Sequence, residues 1–113
     1  MIRHFVNATC GRLPGAEWSD PWGGGHDAWK VGGKMFACLG VNEALGVAVK
    51  CADVETAQLL IEVGRARRAP YFHASWVSIP WGLVAEEELA ERIETSYRLI
   101  RGKLPRAVQA GLG

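Results

Sequence analysis

Two adjacent glycines, Gly32 and Gly33, constrain this chain more than any other feature. They separate Trp29-Lys30-Val31 from Lys34-Met35-Phe36-Ala37-Cys38-Leu39, two runs of β-prone residues. A two-residue reversal between strands needs positive φ angles, which glycine adopts without steric cost. The pattern predicts an antiparallel hairpin in which Val31 opposes Lys34 and Trp29 opposes Phe36. In that register Trp29, Val31, Phe36 and Cys38 share one face, the predicted core face.

The remaining elements follow from periodicity and stop signals. Ile2, Phe5, Val6 and Cys10 lie on one helical face, predicting a helix over 2–12 that ends at Gly11 and Pro14-Gly15. Residues 14–27 read as an ordered Pro/Gly-rich loop anchored by Trp18 and Trp22. Residues 46–51 alternate, with Val47, Val49 and Cys51 on one side and Ala48 and Lys50 on the other. Asp53 is a predicted N-cap for a helix to about Val63, with Val54, Ala57, Leu60 and Ile61 inward and Gly64 as its stop. A basic loop over 65–75 precedes a short strand, Trp76–Ile79, closed by Pro80. A long helix from about Glu86 to Gly102 carries Leu89, Ile93, Tyr97 and Ile100 at helical intervals. Its acids come first and its bases last, which suits the helix dipole. Clustered strands joined by tight turns, with few helices, predict an α+β fold: an antiparallel sheet with helices packed on one face. Residues 1–106 form one domain, and 107–113 read as a flexible tail.

Composition narrows the functional classes. Net charge is +1, and 22% of residues are charged, so a strongly basic nucleic-acid binder is not indicated by total charge. Local asymmetry remains: Arg65, Arg67 and Arg68 have no acid between residues 63 and 85. No apolar run is long enough to span a bilayer, and Arg3 and His4 interrupt any leader-like start, so the expected location is the cytoplasm. Three dispersed cysteines, Cys10, Cys38 and Cys51, fit buried reduced thiols and no disulfide framework.

Catalytic and cofactor patterns fail on spacing. Gly23-Gly24-Gly25 and Gly33-Lys34 match neither a Walker loop nor a dinucleotide fingerprint. His26 and Asp27 are neighbours with no second histidine spaced to join them, which argues against a metal site. The serines lack a nucleophile-elbow context. No enzyme activity, metal or cofactor is expected. A surface of Lys30, Lys34, Arg65, Arg67 and Arg68 with Tyr71, His73 and Trp76 supplies guanidiniums, ammoniums and aromatics suited to nucleic-acid phosphates, or else ordinary solubilising charge.

Several stretches in order carry a resemblance: Leu13-Pro14-Gly15-Ala16-Glu17, Lys30 through Ala37, Val49-Lys50, Ala69-Pro70-Tyr71, Trp76 through Ile79, Ser96-Tyr97 and Lys103-Leu104-Pro105. Over about residues 2 to 106 the chain resembles the MmcQ/YjbR family of small bacterial proteins. The resemblance implies a CyaY-like two-layer α+β sandwich and a DNA-binding role through a two-winged surface, with no catalytic motif. Two functions are carried forward. The first is weak, salt-sensitive DNA binding by a monomer through the hairpin and the basic loop, using Lys30, Lys34, Arg65, Arg67, Arg68, Tyr71, His73 and Trp76. The second is a non-catalytic module for a protein or small ligand, built on the Trp/Gly-rich loop 18–27.

Overall fold

A computed structural model describes residues 2–112. Helix α1 spans Ile2–Gly11, followed by strands β1 (Ala16–Ser19), β2 (Asp27–Val31) and β3 (Lys34–Leu39). A short 3-10 turn, Glu43–Leu45, leads into β4 (Val47–Lys50) and α2 (Val54–Glu62). Strands β5 (Arg67–Arg68) and β6 (Trp76–Ile79), then α3 (Glu86–Gly102) and α4 (Arg106–Ala110), complete the chain. The six strands form one antiparallel sheet in the order β1-β2-β3-β4-β6-β5. Helices cover one face, giving the expected α+β two-layer architecture.

The hairpin forms around Gly32 and Gly33, both at positive φ, and Val31 opposes Lys34. One residue further in, the register departs from the sequence reading. Lys30 pairs with Met35, but Trp29 pairs with Ala37, so Phe36 is the extra residue of a β-bulge. The bulge shifts the side-chain phase of β3. Phe36, Ala37 and Leu39 enter the helix-covered core with Val31, while Cys38 joins Met35 on the opposite face. Trp29 and Phe36 do share the core side, but Cys38 does not belong to that face.

A single hydroxyl holds the bulge. Ser96, fully buried on α3, donates to the Phe36 carbonyl at 2.6 Å and accepts from the Lys50 amide at 2.8 Å. The β3–β4 ladder runs from Leu39↔Val47 to Ala37↔Val49. Ser96 therefore takes up the two main-chain groups left over at the bulge, which would otherwise be buried without partners. Tyr97, next along α3, packs edge-on against Phe36 with ring centroids 5.3 Å apart and donates its hydroxyl to the Pro14 carbonyl at 2.5 Å.

The core contains Val6 and Cys10 of α1, Ala57 and Leu60 of α2, and Leu89 and Ile93 of α3 over the apolar sheet face. Asp53 caps α2 as expected, accepting from Thr56 N at 2.7 Å. Ile61, read as part of the inward stripe, is instead exposed. The segment 14–27 is not a loop throughout, since it contains β1, and the basic loop contains β5. Both are edge strands of four residues or fewer. The segment 107–113 overlaps a short helix, α4, and Leu112 packs against the core. All three cysteines are free and buried, and burial pushes the Cys10 thiol up to about 12.

Candidate nucleic-acid interface

The hairpin turns at one end of the sheet, and the neighbouring strands bring their own polar residues to that end. Lys34 is exposed directly after the turn. Leu104 packs so closely on Gly32 that a Cβ there would lie 2.5 Å from Leu104 Cδ1, which brings Lys103 alongside the turn. Lys50 ends β4 opposite Trp76. Its ammonium donates to Ser75 Oγ at 2.6 Å and to the Cys51 carbonyl at 3.3 Å. Ser75 Oγ in turn lies 2.8 Å from His73 Nδ1, which also accepts from Ser75 N at 3.1 Å. Burial lowers the Lys50 pKa, the nearby charge of Lys103 lowers it further, and Cys51 and Asp53 oppose the shift.

The predicted set divides. Lys34, His73 and Trp76 share this end of the sheet, where Trp76 is half-buried against Phe72, ring centroids 4.9 Å apart. Lys30 sits on β2 between Glu17 of β1 and Met35 of β3, two residues before the turn glycines. Arg67 and Arg68 are exposed on the edge strand β5, with β3, β4 and β6 between them and β2. At about 4.8 Å per strand, Lys30 and this pair stand roughly 19 Å apart. Arg65 is already engaged: its guanidinium is 3.0 Å from Glu88, which also meets Arg92 at 3.4 Å. Tyr71 is fully exposed and belongs to the loop over the open sheet face rather than to the hairpin end.

Sequence reasoning left out Lys50 and Lys103. The alternation in 46–51 marks Lys50 as facing away from the core, but only the β4–β6 register sets it beside Trp76. Nothing local marks Lys103, whose position depends on how the end of α3 docks on the hairpin. Among the described residues, no three His, Cys, Asp or Glu side chains come together as a metal site. No helix of the described residues is long and apolar enough to cross a membrane.

The YjbR family model matches residues 11–99, from the end of α1 well into α3. The chain belongs to the YjbR family. The crystal structure of Deinococcus radiodurans protein DR2400, which carries a DUF419 domain, resembles this YjbR chain with a TM-score of 0.84 at 24% identity. That likeness covers 96% of this chain and 85% of the other, and shows a common fold. No curated protein matches the chain. In this YjbR protein the hairpin, the β4 lysine and the β6 tryptophan all fall within the matched residues, whereas Lys103 lies beyond them.

Proposed function

We propose that this YjbR protein is a non-catalytic cytoplasmic monomer that binds the phosphate backbone of DNA, weakly and without sequence preference, through the hairpin end of its sheet. The observation that supports this reading is the grouping of Lys34, Lys50 and Lys103 at that end. Among the described residues none of the three has a carboxylate within ion-pair distance. Unneutralised ammoniums on one surface attract phosphates and release their counterions, and this term is sequence-independent. Trp76 and Phe72 add aromatic surface beside them. Arg67 and Arg68 extend the contact toward the far edge of the sheet, and Arg65 drops out because Glu88 neutralises it.

The test is fluorescence anisotropy with a labelled duplex at about 50 and 200 mM salt. Lys34→Ala/Lys103→Ala is compared with Arg65→Ala; Lys50 is kept because its ammonium holds Ser75. The wild type should lose affinity steeply with salt. The double lysine variant should bind more weakly and lower the slope of log affinity against log salt by about two. Arg65→Ala should match the wild type. Absence of binding at low salt, or equal slopes for wild type and double variant, would remove the proposal.

A further inference from the structure

The face of the sheet opposite the helices carries a cavity of about 620 Å³, within the roughly 300–1,000 Å³ typical of small-ligand sites. Its floor is set by register. Cys38 of β3, Ala48 of β4 and Ser78 of β6 are aligned across three neighbouring strands, and all have small side chains. The sheet surface is therefore low along that row. Loops build the walls. Gly46, at positive φ, lets the 40–46 loop descend onto β6, where any Cβ would collide with the Ile79 carbonyl. Ser78 Oγ also donates to the Leu45 carbonyl and ties that loop down.

The opposite rim is aromatic and held in place. Trp22 and His26 pack edge-on, with ring centroids 5.0 Å apart. Asp20 fixes the turn beneath them, accepting from Gly25 N at 3.0 Å and His26 N at 3.1 Å. Tyr71 and Phe72 contribute from the other side. Tyr71 is the residue whose backbone departs most from ordinary geometry. It alone among the described non-glycine residues has positive φ, at 70°, and the residue is fully exposed. A bulky residue held in that region is strained, and this backbone turn leaves Tyr71 at the mouth of an apolar cavity.

Charge decides the ligand class. Among the described residues no Asp, Glu, Lys or Arg lines the cavity, although 22% of the chain is charged. An ion entering it would lose hydration with no counter-charge to replace it. The sulfurs of Met35 and Cys38 and the rings of the rim favour contact with a π-system. His26 Nδ1 is buried without a hydrogen-bond partner, with Asp20 Oδ1 3.5 Å away.

We propose that the open-face cavity binds a neutral, flat aromatic small molecule, gripped between the Trp22–His26 wall and Tyr71 over the Cys38–Ala48–Ser78 floor. This site is separate from the cationic end of the sheet and stands or falls independently of DNA binding. The probe is 2-naphthol, titrated against the protein by two-dimensional NMR, with 2-naphthoate as the anion of the same ring system. Saturable binding of 2-naphthol at one site per chain is expected, with shifts around Ala48, Val41 and Tyr71. Binding of 2-naphthoate should be at least about tenfold weaker. Ala48→Leu fills the floor and should lower 2-naphthol affinity by at least about tenfold. Tyr71→Gly relieves the backbone strain, so it should keep or raise the thermal midpoint while weakening binding several-fold. Because residue 71 is fully exposed, that variant reports even if Ala48→Leu does not fold. The proposal is overturned by non-saturable 2-naphthol shifts, by equal affinity for the anion, or by unchanged binding in a folded Ala48→Leu or Tyr71→Gly variant. A dimer that buries this face and is not displaced by 2-naphthol would overturn it too.

Discussion

On the helix-covered face, Val31, Phe36, Leu39, Val49 and Val77 carry branched or aromatic side chains into a core that excludes water. On the other face, strands β3, β4 and β6 present Cys38, Ala48 and Ser78 in a central row, with Met35 and Trp76 toward the hairpin end, and the other large apolar groups stand on loops around them, partly exposed. The backbone is shared, so the difference lies in where side-chain volume is placed. The covered face puts volume on the strands and is closed by helices. The open face keeps its central strand row small, sets its bulk on the loops and at the hairpin end, and leaves a hollow between them. The first arrangement buys stability, and the second leaves room for a guest.

If the faces differ in this way, consecutive residues of β3 should differ sharply in their effect. Phe36 is fully buried beneath α3, and Met35 faces the cavity. Phe36→Ala should cost about 3–5 kcal/mol, from lost transfer energy and the void left behind. Met35→Ala should cost about 1 kcal/mol, the ordinary level for a partly exposed site. Urea denaturation of the two variants checks this directly. Equal losses would mean that the open face is a second core and not a hollow.

The covered face also depends on one polar group. Ser96→Ala removes the hydroxyl that serves both the Phe36 carbonyl and the Lys50 amide. The loss should be about 1–3 kcal/mol, because two buried main-chain groups lose a partner at once. Amide exchange at Lys50 should speed up more than exchange at Val49, which stays within the ladder. A stability change near zero would show that the bulge is held by its strands alone.

This bulge also marks where the sequence stops being legible. The glycine pair, the alternation in 46–51, the Asp53 cap and the α3 stripe are local signals, and each led to the right element. Placing Cys38 with Phe36 failed because a bulge changes the phase of a strand by one residue. The group that stabilises this bulge is Ser96, sixty residues away along the chain. Strands β1 and β5 went unread because edge strands this short need no alternating pattern. The candidate sites followed the same division. Lys34 was legible beside its turn, whereas the neutralisation of Arg65 by Glu88, the arrival of Lys103 at the hairpin and the hollow over Ala48 all depend on tertiary register.

The smallest effect concerns the edge where α1 meets the sheet. Asp27 opens β2, and its carboxylate accepts from Arg3 Nε at 2.9 Å, Asn7 Nδ2 at 3.1 Å and Trp18 Nε1 at 2.7 Å. Asn7 also accepts from Trp29 Nε1 at 2.8 Å, so one small network joins α1, β1 and β2. Burial opposes ionisation of Asp27, but the hydrogen bonds from Asn7, Trp18 and Arg3, with the charge of Arg3, outweigh it and hold the carboxyl below its usual value. A folded-state pKa below the unfolded value of about 3.9 gives stability that is fully present above that pH and is lost as pH falls through the folded value. Asp27→Asn should therefore be less stable than wild type at neutral pH, and the gap should narrow as the pH drops below about 4. Urea midpoints of both proteins across that range measure it. A gap that stays constant down to the lowest pH would mean that Asp27 contributes shape and not charge, and that the covered face is sealed at its edge by packing alone.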